Sequence, residues 1–205
     1  MGIVVDHDKR RKAILKKSLE VFVDEGYEDA TFQKIANRCG ITRTTLYIYF
    51  KNKKEIFLYS IKQLTEGLEI SIQKIISSPT KTCEQKLLQT LECIVKECVA
   101  NKELFGVILA YLIMLKQTGK DPQTKVKRRI IRLRHLLSTI LIEGKKKGEF
   151  KDINVKSANE MFYSLIEASI FRLAILNQQT IDEMMSSLEL AVSGITVCKK
   201  GTSKN

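Results

Sequence analysis

The chain has 205 residues, enough for one good core or for a small domain joined to a larger one, and it carries a formal net charge of +12. Only two prolines and ten glycines stand among abundant Leu, Ile, Lys and Glu, a balance that favours an all-helical protein. No secretory signal is expected, because the opening "MGIVVDHDKRRK" turns polar after five residues, and Asp6 stands where a myristoylation motif wants Ser or Thr.

The charge is unevenly spread. Residues 1–54 hold 12 basic and 7 acidic side chains, a net of +5, while residues 121–151 hold 10 and 3, a net of +7. Net charge alone therefore does not identify a nucleic-acid face, and a motif has to do so. The five cysteines (Cys39, Cys83, Cys93, Cys98, Cys198) lack CxxC spacing, and Cys93 and Cys98 would lie about 140° apart on a helix. They read as free thiols in a reducing cytoplasm, with no metal and no cofactor expected.

In chain order, residues 8–25 place Leu15, Leu19 and Phe22 on one stripe with Ile14, Ser18 and Val21 beside it, and Gly26 ends that helix. Thr31 caps a second helix with Phe32, Ile35, Ala36 and Cys39 inward, closed by Gly40. Thr42 caps a short third helix running to about Phe50, and a long fourth follows from "KNKKEIF" to Ser77 or Ser78, before Pro79. Five more helices are predicted over 82–100, 103–117, 122–147, 155–176 and 180–198, with breaks at Gly119, Pro122, Gly148 and Asn177 to Gln179. The longest apolar run, Leu104 to Leu115, is short of the ~20 residues that a bilayer span needs, so it reads as a buried helix and no membrane partner is expected.

Two short helices around a tight glycine turn, "TFQKIANRCG" and "ITRTTLYIYF", have the spacing of a helix-turn-helix. Ile35, Ala36, Ile41 and Leu46 suit the crossing. Arg43, Thr44 and Tyr47 project together from the third helix, as residues do that meet base edges in a major groove. Arg43 suits a guanine, Thr44 a thymine methyl, and Tyr47 either a base or a phosphate. Thr31, Thr45, Tyr49 and Lys53 suit phosphate contacts that set register. Thr31 and Thr42 are needed as caps in any case; Tyr47 and Tyr49 have core packing as their alternative, and Lys51, Lys53 and Lys54 a plain solvated face.

The stretch from Ile14 to Phe57 closely resembles the amino-terminal domain of TetR-family (tetracycline-repressor-like) transcriptional regulators. The matching features are Phe22, Gly26-Tyr27, Thr31, Ile35-Ala36, Gly40-Ile41, Thr45-Leu46-Tyr47, Tyr49-Phe50 and Lys53. The resemblance implies an all-α homodimer, each subunit with a three-helix DNA-binding head (1–54) and a helical-bundle body for effector binding and dimerisation (55–205), about nine helices in all. It places Gln33, Arg43, Thr44 and Tyr47 near bases, and Thr31, Thr45, Tyr49 and Lys53 at phosphates. Thr44 stands where many members have Gly or Ala, and Ile48 where His is frequent, so the operator sequence is not transferable.

In the body, Ile181, Met184, Met185, Leu188, Ala191, Val192 and Ile195 form a regular apolar stripe, and Met161 to Leu176 is apolar nearly all round. A helix dry on two sides either packs both a core and a partner or lies wholly inside a monomer. The family architecture, with two carboxy-terminal helices per subunit in a four-helix interface, favours the former and points to Met161, Leu165, Ala168, Ile181, Met184, Leu188, Ala191 and Ile195. Phe105, Tyr111, Met114, His135 and Tyr163 are candidate walls of an effector pocket, with plain core packing as the alternative for each. Lys127, Arg128, Arg132 and Arg134 would suit an anionic effector or a solvated face, so the expected effector is hydrophobic, with or without an acidic group.

The expected protein is a ligand-responsive repressor that leaves its operator when the effector binds, with an activator of the same fold as the alternative. Two histidines and no phosphate loop argue against an enzyme, leaving only a thiol enzyme built on one cysteine and His135, or a membrane-surface role for residues 125–134, as rivals.

Overall fold

The structure, a computed structural model, describes residues 6–119, 123–177 and 180–197, with side chains throughout except over 123–130. Among these residues are nine α-helices: α1 (His7–Asp29), α2 (Phe32–Cys39), α3 (Arg43–Tyr49), α4 (Lys53–Ile76), α5 (Cys83–Ala100), α6 (Lys102–Gln117), α7 (Gln123–Lys146), α8 (Val155–Phe171) and α9 (Ile181–Ile195). No single described helix is long and apolar enough to cross a membrane.

Helix ends are set by local chemistry. The Thr31 and Thr42 hydroxyls accept from the backbone N–H groups of Lys34 (3.2 Å) and Thr45 (3.1 Å), while Thr82 with Gln85 and Thr180 with Glu183 form reciprocal capping boxes. Gly26, at φ 75° and ψ 171°, breaks the helical path near the end of α1, where the sequence places the end of the first helix. Gly40, at φ 67°, allows a Schellman closure in which the Ile41 N–H donates to the Ala36 carbonyl at 3.0 Å.

The described residues form two compact units. The first holds residues 6–67 and 103–119, and thus extends beyond the predicted head to include most of α6. Its core joins Phe22, Ile35, Leu46, Phe50 and Phe57 with Leu104, Tyr111 and Leu115. Tyr111, a candidate pocket wall with core packing as its alternative, is buried in an aromatic cluster, its ring centroid 4.4 Å from Tyr27 and 5.0 Å from Phe57. Aromatic pairs at such separations add ~0.5–1.5 kcal/mol beyond the area they bury. Burial, with lesser contributions from Tyr111 and Glu28, pushes the Tyr27 hydroxyl up to about 12. Ser18 and Ser60 are buried but satisfied, donating to the Ile14 and Leu15 carbonyls at 2.7 and 2.9 Å.

The second unit holds residues 68–102, 123–177 and 180–197. Within it α5 packs on α7 and α9, and α8 packs on α7 and α9. The α9 stripe faces its own subunit: Met184, Leu188 and Ile195 are buried with Val192, which corrects their assignment to a dimer interface. One regular stripe is what a helix needs to join its own core, and α5 supplies the opposing surface through residues such as Leu87, Leu91 and Ile94. After Phe171 the eighth helix does not run on as an α-helix to 176; Arg172–Leu176 form a π-helical turn, ended by Asn177 at φ 51°. Gly144 is required at its place, since a Cβ there would lie 2.2 Å from the Phe150 ring. Cys83 and Cys98 are buried, and desolvation pushes their thiols up to about 11 and about 12, well away from nucleophilic thiolates.

Candidate nucleic-acid interface

Helix α3 is built with one side for the fold and one for a partner. Leu46 is fully buried and Ile41, just before the helix, is half-buried, whereas Arg43, Thr44, Tyr47 and Ile48 are exposed. At ~100° per residue these four fall within an arc of about 140°. The polar members are held in place. Tyr47 stacks on Phe32 of α2 with centroids 4.5 Å apart, and the Arg43 Nη2 donates to the Tyr47 hydroxyl at 3.2 Å. The Thr42 and Thr45 hydroxyls lie 2.8 Å apart, so Thr42 remains a cap that also positions Thr45. Arg43 joins no ion pair among the described residues, whereas Arg38 is spent on Asp24 and Glu20, and Lys34 on Glu25.

Around this face, Gln33 is exposed on α2 and donates to the Asn37 side-chain oxygen at 2.8 Å. Thr31 is exposed at the start of α2. Tyr49 is half-buried and its hydroxyl lies 3.3 Å from His7 Nδ1, and the Lys53 ammonium donates to the Glu28 carbonyl at 2.7 Å while lying 4.8 Å from the Tyr27 ring centroid. Lys53 has two further N–H donors for a phosphate. A shallow groove beside the helix-turn-helix is lined by Arg10, Asn37, Gly40, Ile41, Thr42 and Thr45. Arg10 and Asn37 are members of this surface that sequence reasoning passed over, and Ile48 entered it only as a departure from the family pattern. Arg10 was hidden in a basic run whose next member, Arg11, packs its guanidinium over the Tyr59 and Phe50 rings.

The other predicted residues divide differently. Phe105, Tyr111 and Met114 belong to the first compact unit, the first and last of them half-buried, and His135 and Tyr163 to the second. His135 is exposed, and buried Tyr163 lies under the Arg134 guanidinium, 4.2 Å from its ring centroid. Arg134 also grips Glu160 through two bonds of 2.7 and 3.2 Å, and Arg132 reaches Glu69 at 3.5 Å. These two arginines are therefore tied down; Lys127 and Arg128 lie outside the described side chains. Of the predicted dimer residues, Met161, Ala168 and Ile181 are exposed, and Leu165 and Ala191 half-exposed. Phe171, Ile175 and Leu176, within the segment read as apolar nearly all round, are exposed as well, and so are Leu190 and Val197, which sequence reasoning missed. Leu190 sits in a row of small residues (Ser186, Ser187, Ser193, Gly194) that carries too little hydrophobicity to register as a stripe.

Residues 14–59 match the family described as bacterial regulatory proteins, tetR family. The chain is 27% identical over 190 residues to the fatty acid metabolism regulator protein of Bacillus subtilis (strain 168), across 89% of this chain and 93% of that protein. The solved structure of the transcriptional regulator FadR from Bacillus subtilis in complex with stearoyl-CoA superposes with a TM-score of 0.74 at 25% identity, covering 89% of this chain and 98% of that one. A TetR transcription regulator from Haloarcula marismortui gives a TM-score of 0.79 at 18% identity, covering 93% and 100%. At that identity the last likeness shows the fold alone.

Proposed function

Because the chain is a transcriptional regulator of the tetR family, we propose that it represses from a roughly palindromic DNA operator as a homodimer and releases it when a long-chain acyl thioester binds. The observation that carries the DNA reading is the exposed arc of Arg43, Thr44, Tyr47 and Ile48 on a short capped helix whose other side is sealed by Leu46. On this reading Arg43 and Tyr47 meet base edges with Gln33 beside them. Thr31, Thr42, Thr45, Tyr49 and Lys53 hold phosphates, and residues 1–54 are the DNA-binding part of a cytoplasmic protein. Hydrogen bonds to bases reward fixed geometry, and the Phe32–Tyr47–Arg43 chain supplies it before DNA arrives.

One head offers few contacts, so the second half of the affinity comes from symmetry. A two-fold dimer presents two recognition helices to half-sites about one or more turns of duplex apart. The exposed Met161, Ala168 and Ile175 and the half-exposed Leu165 on α8 and its π-helical extension, and Leu190 among small residues on α9, are the surface we assign to that contact.

The effector class has two supports: the sequence expectation of a hydrophobic molecule, with or without an acidic group, and the stearoyl-CoA complex of the structural relative. Residues 55–205 would hold it. Release works by population shift: the thioester must bind better to a head arrangement that the operator does not accept, since equal affinity for both would change nothing.

Fragments of the organism's own genomic DNA captured by wild type and by Arg43→Ala test the first half. A shared palindromic site enriched by wild type alone supports it, and equal capture by both overturns it. For the second half, long-chain acyl-CoA should raise the melting temperature and dissociate the operator complex where coenzyme A alone does neither. Stabilisation by cationic compounds only would overturn the effector class.

A further inference from the structure

We infer that Ile48 determines operator specificity by reading the 5-methyl group of a thymine in the major groove. This rests on α3 being the recognition helix, and it concerns a side chain with no role in the fold. Ile48 is 71% exposed on a seven-residue helix whose inward position is filled by Leu46 at 0%. It therefore contributes almost nothing to the core.

Its placement says what it is exposed for. Ile48 lies one turn beyond Thr44 and about 40° from it around the axis, so the two β-branched side chains form a small adjacent pair within the same arc as Arg43 and Tyr47. A helix of seven residues is about 10 Å long, less than the ~12 Å width of the major groove, so the whole of it can enter the groove. The polar neighbours are already tethered to one another, Arg43 to Tyr47 and Thr42 to Thr45. Ile48 can neither donate nor accept. Pressed against a base-edge oxygen or amino group it would strip water and return no hydrogen bond, a net cost. The thymine methyl is the one apolar group in the major-groove pattern of the four bases. An isoleucine at this point is thus matched to thymine and mismatched to the other bases.

The test takes an operator already selected with the full-length wild-type protein and replaces its thymines one per half-site with deoxyuridine, which removes only the methyl group. For wild type one such position should weaken binding about fourfold per half-site, and about fifteenfold when both half-sites are changed. Ile48→Ala should bind the thymidine and deoxyuridine versions of that position equally, while remaining a folded dimer by circular dichroism and sedimentation. If wild type selects an operator but Ile48→Ala and wild type respond alike at every thymine, the inference alone is overturned. If wild type selects no operator at all, the DNA reading falls and takes this inference with it.

Discussion

On α3 the outward side chains brace one another, Tyr47 lying on Phe32 and Arg43 bonded to the Tyr47 hydroxyl, whereas α8 and α9 turn out hydrocarbon: Met161 and Phe171 on one, Leu190 at 74% exposure on the other. On the proposed roles, the difference follows from what each surface would meet. Hydrogen bonds weaken steeply with angle, so a face that reads base edges must hold its donors still. Burial of apolar area is non-directional, so a face that joins a like surface needs area and small neighbours that let helices approach. The interior of the second unit offers a third case, an ion pair withdrawn from water, with the Lys86 side chain 6% exposed and 3.2 Å from Glu143.

The contrast can be broken most forcefully on the apolar side. Leu190→Glu adds a charge to a position the subunit does not need for its own core, and symmetry would bring it close to its copy. Like-charge contact costs several kcal/mol, so operator affinity should fall on the order of a hundredfold or more, with a shift to monomer in sedimentation and an unchanged melting temperature at the subunit level. Next comes Arg43→Ala. Losing a bidentate base contact should cost ~1–3 kcal/mol per half-site and relax base preference at one position, with the dimer intact in the same sedimentation assay. Were Arg43→Ala to dissociate the dimer, the separation of roles between the two surfaces would fail.

Inside the second unit, Gly144→Ala should force the Phe150 ring aside and lower stability by ~1–3 kcal/mol in urea unfolding, leaving the base preference of the surviving folded protein unaltered. Lys53→Ala should weaken binding to every sequence alike and reduce the slope of log affinity against log salt by about one per head, measured by fluorescence anisotropy across salt concentrations. The smallest effect belongs to acid. The Lys147 ammonium at 2.6 Å, and then Lys86, hold the Glu143 carboxyl below its ordinary value of 4.5. A carboxyl depressed in the folded state adds stability above its unfolded value that is lost as pH falls through the folded one. Glu143→Gln should therefore lower stability most near neutral pH and flatten the acid side of the profile, the difference from wild type shrinking as pH falls below about 4.5.

Much of the recognition face was legible because its determinants are local. Thr31, Thr42, Gly26 and Gly40 act on groups a few residues away, so capping chemistry and positive φ could be read from order alone. The exposed trio Arg43, Thr44 and Tyr47 followed from helical spacing. The tethers among them did not, since the Tyr47 partner Phe32 lies on another helix. Nor did the part of Ile48, noted in the sequence only as a departure from the family pattern, until its exposure is known.

By itself the sequence determined where most helices begin and end, though not the ends of α8 and α9, that all the regular elements would be helical, and which side of α3 is polar, because these rest on backbone propensity, capping and a period of 3.6 residues. Only the tertiary structure decided which apolar side chains face home and which face out. Met184, Leu188 and Ile195 on α9 went inward against α5, Leu190 outward, and Tyr111 into the aromatic cluster of Tyr27 and Phe57. Periodicity marks a dry face without naming what covers it; that depends on the volumes and positions of helices far away in the chain.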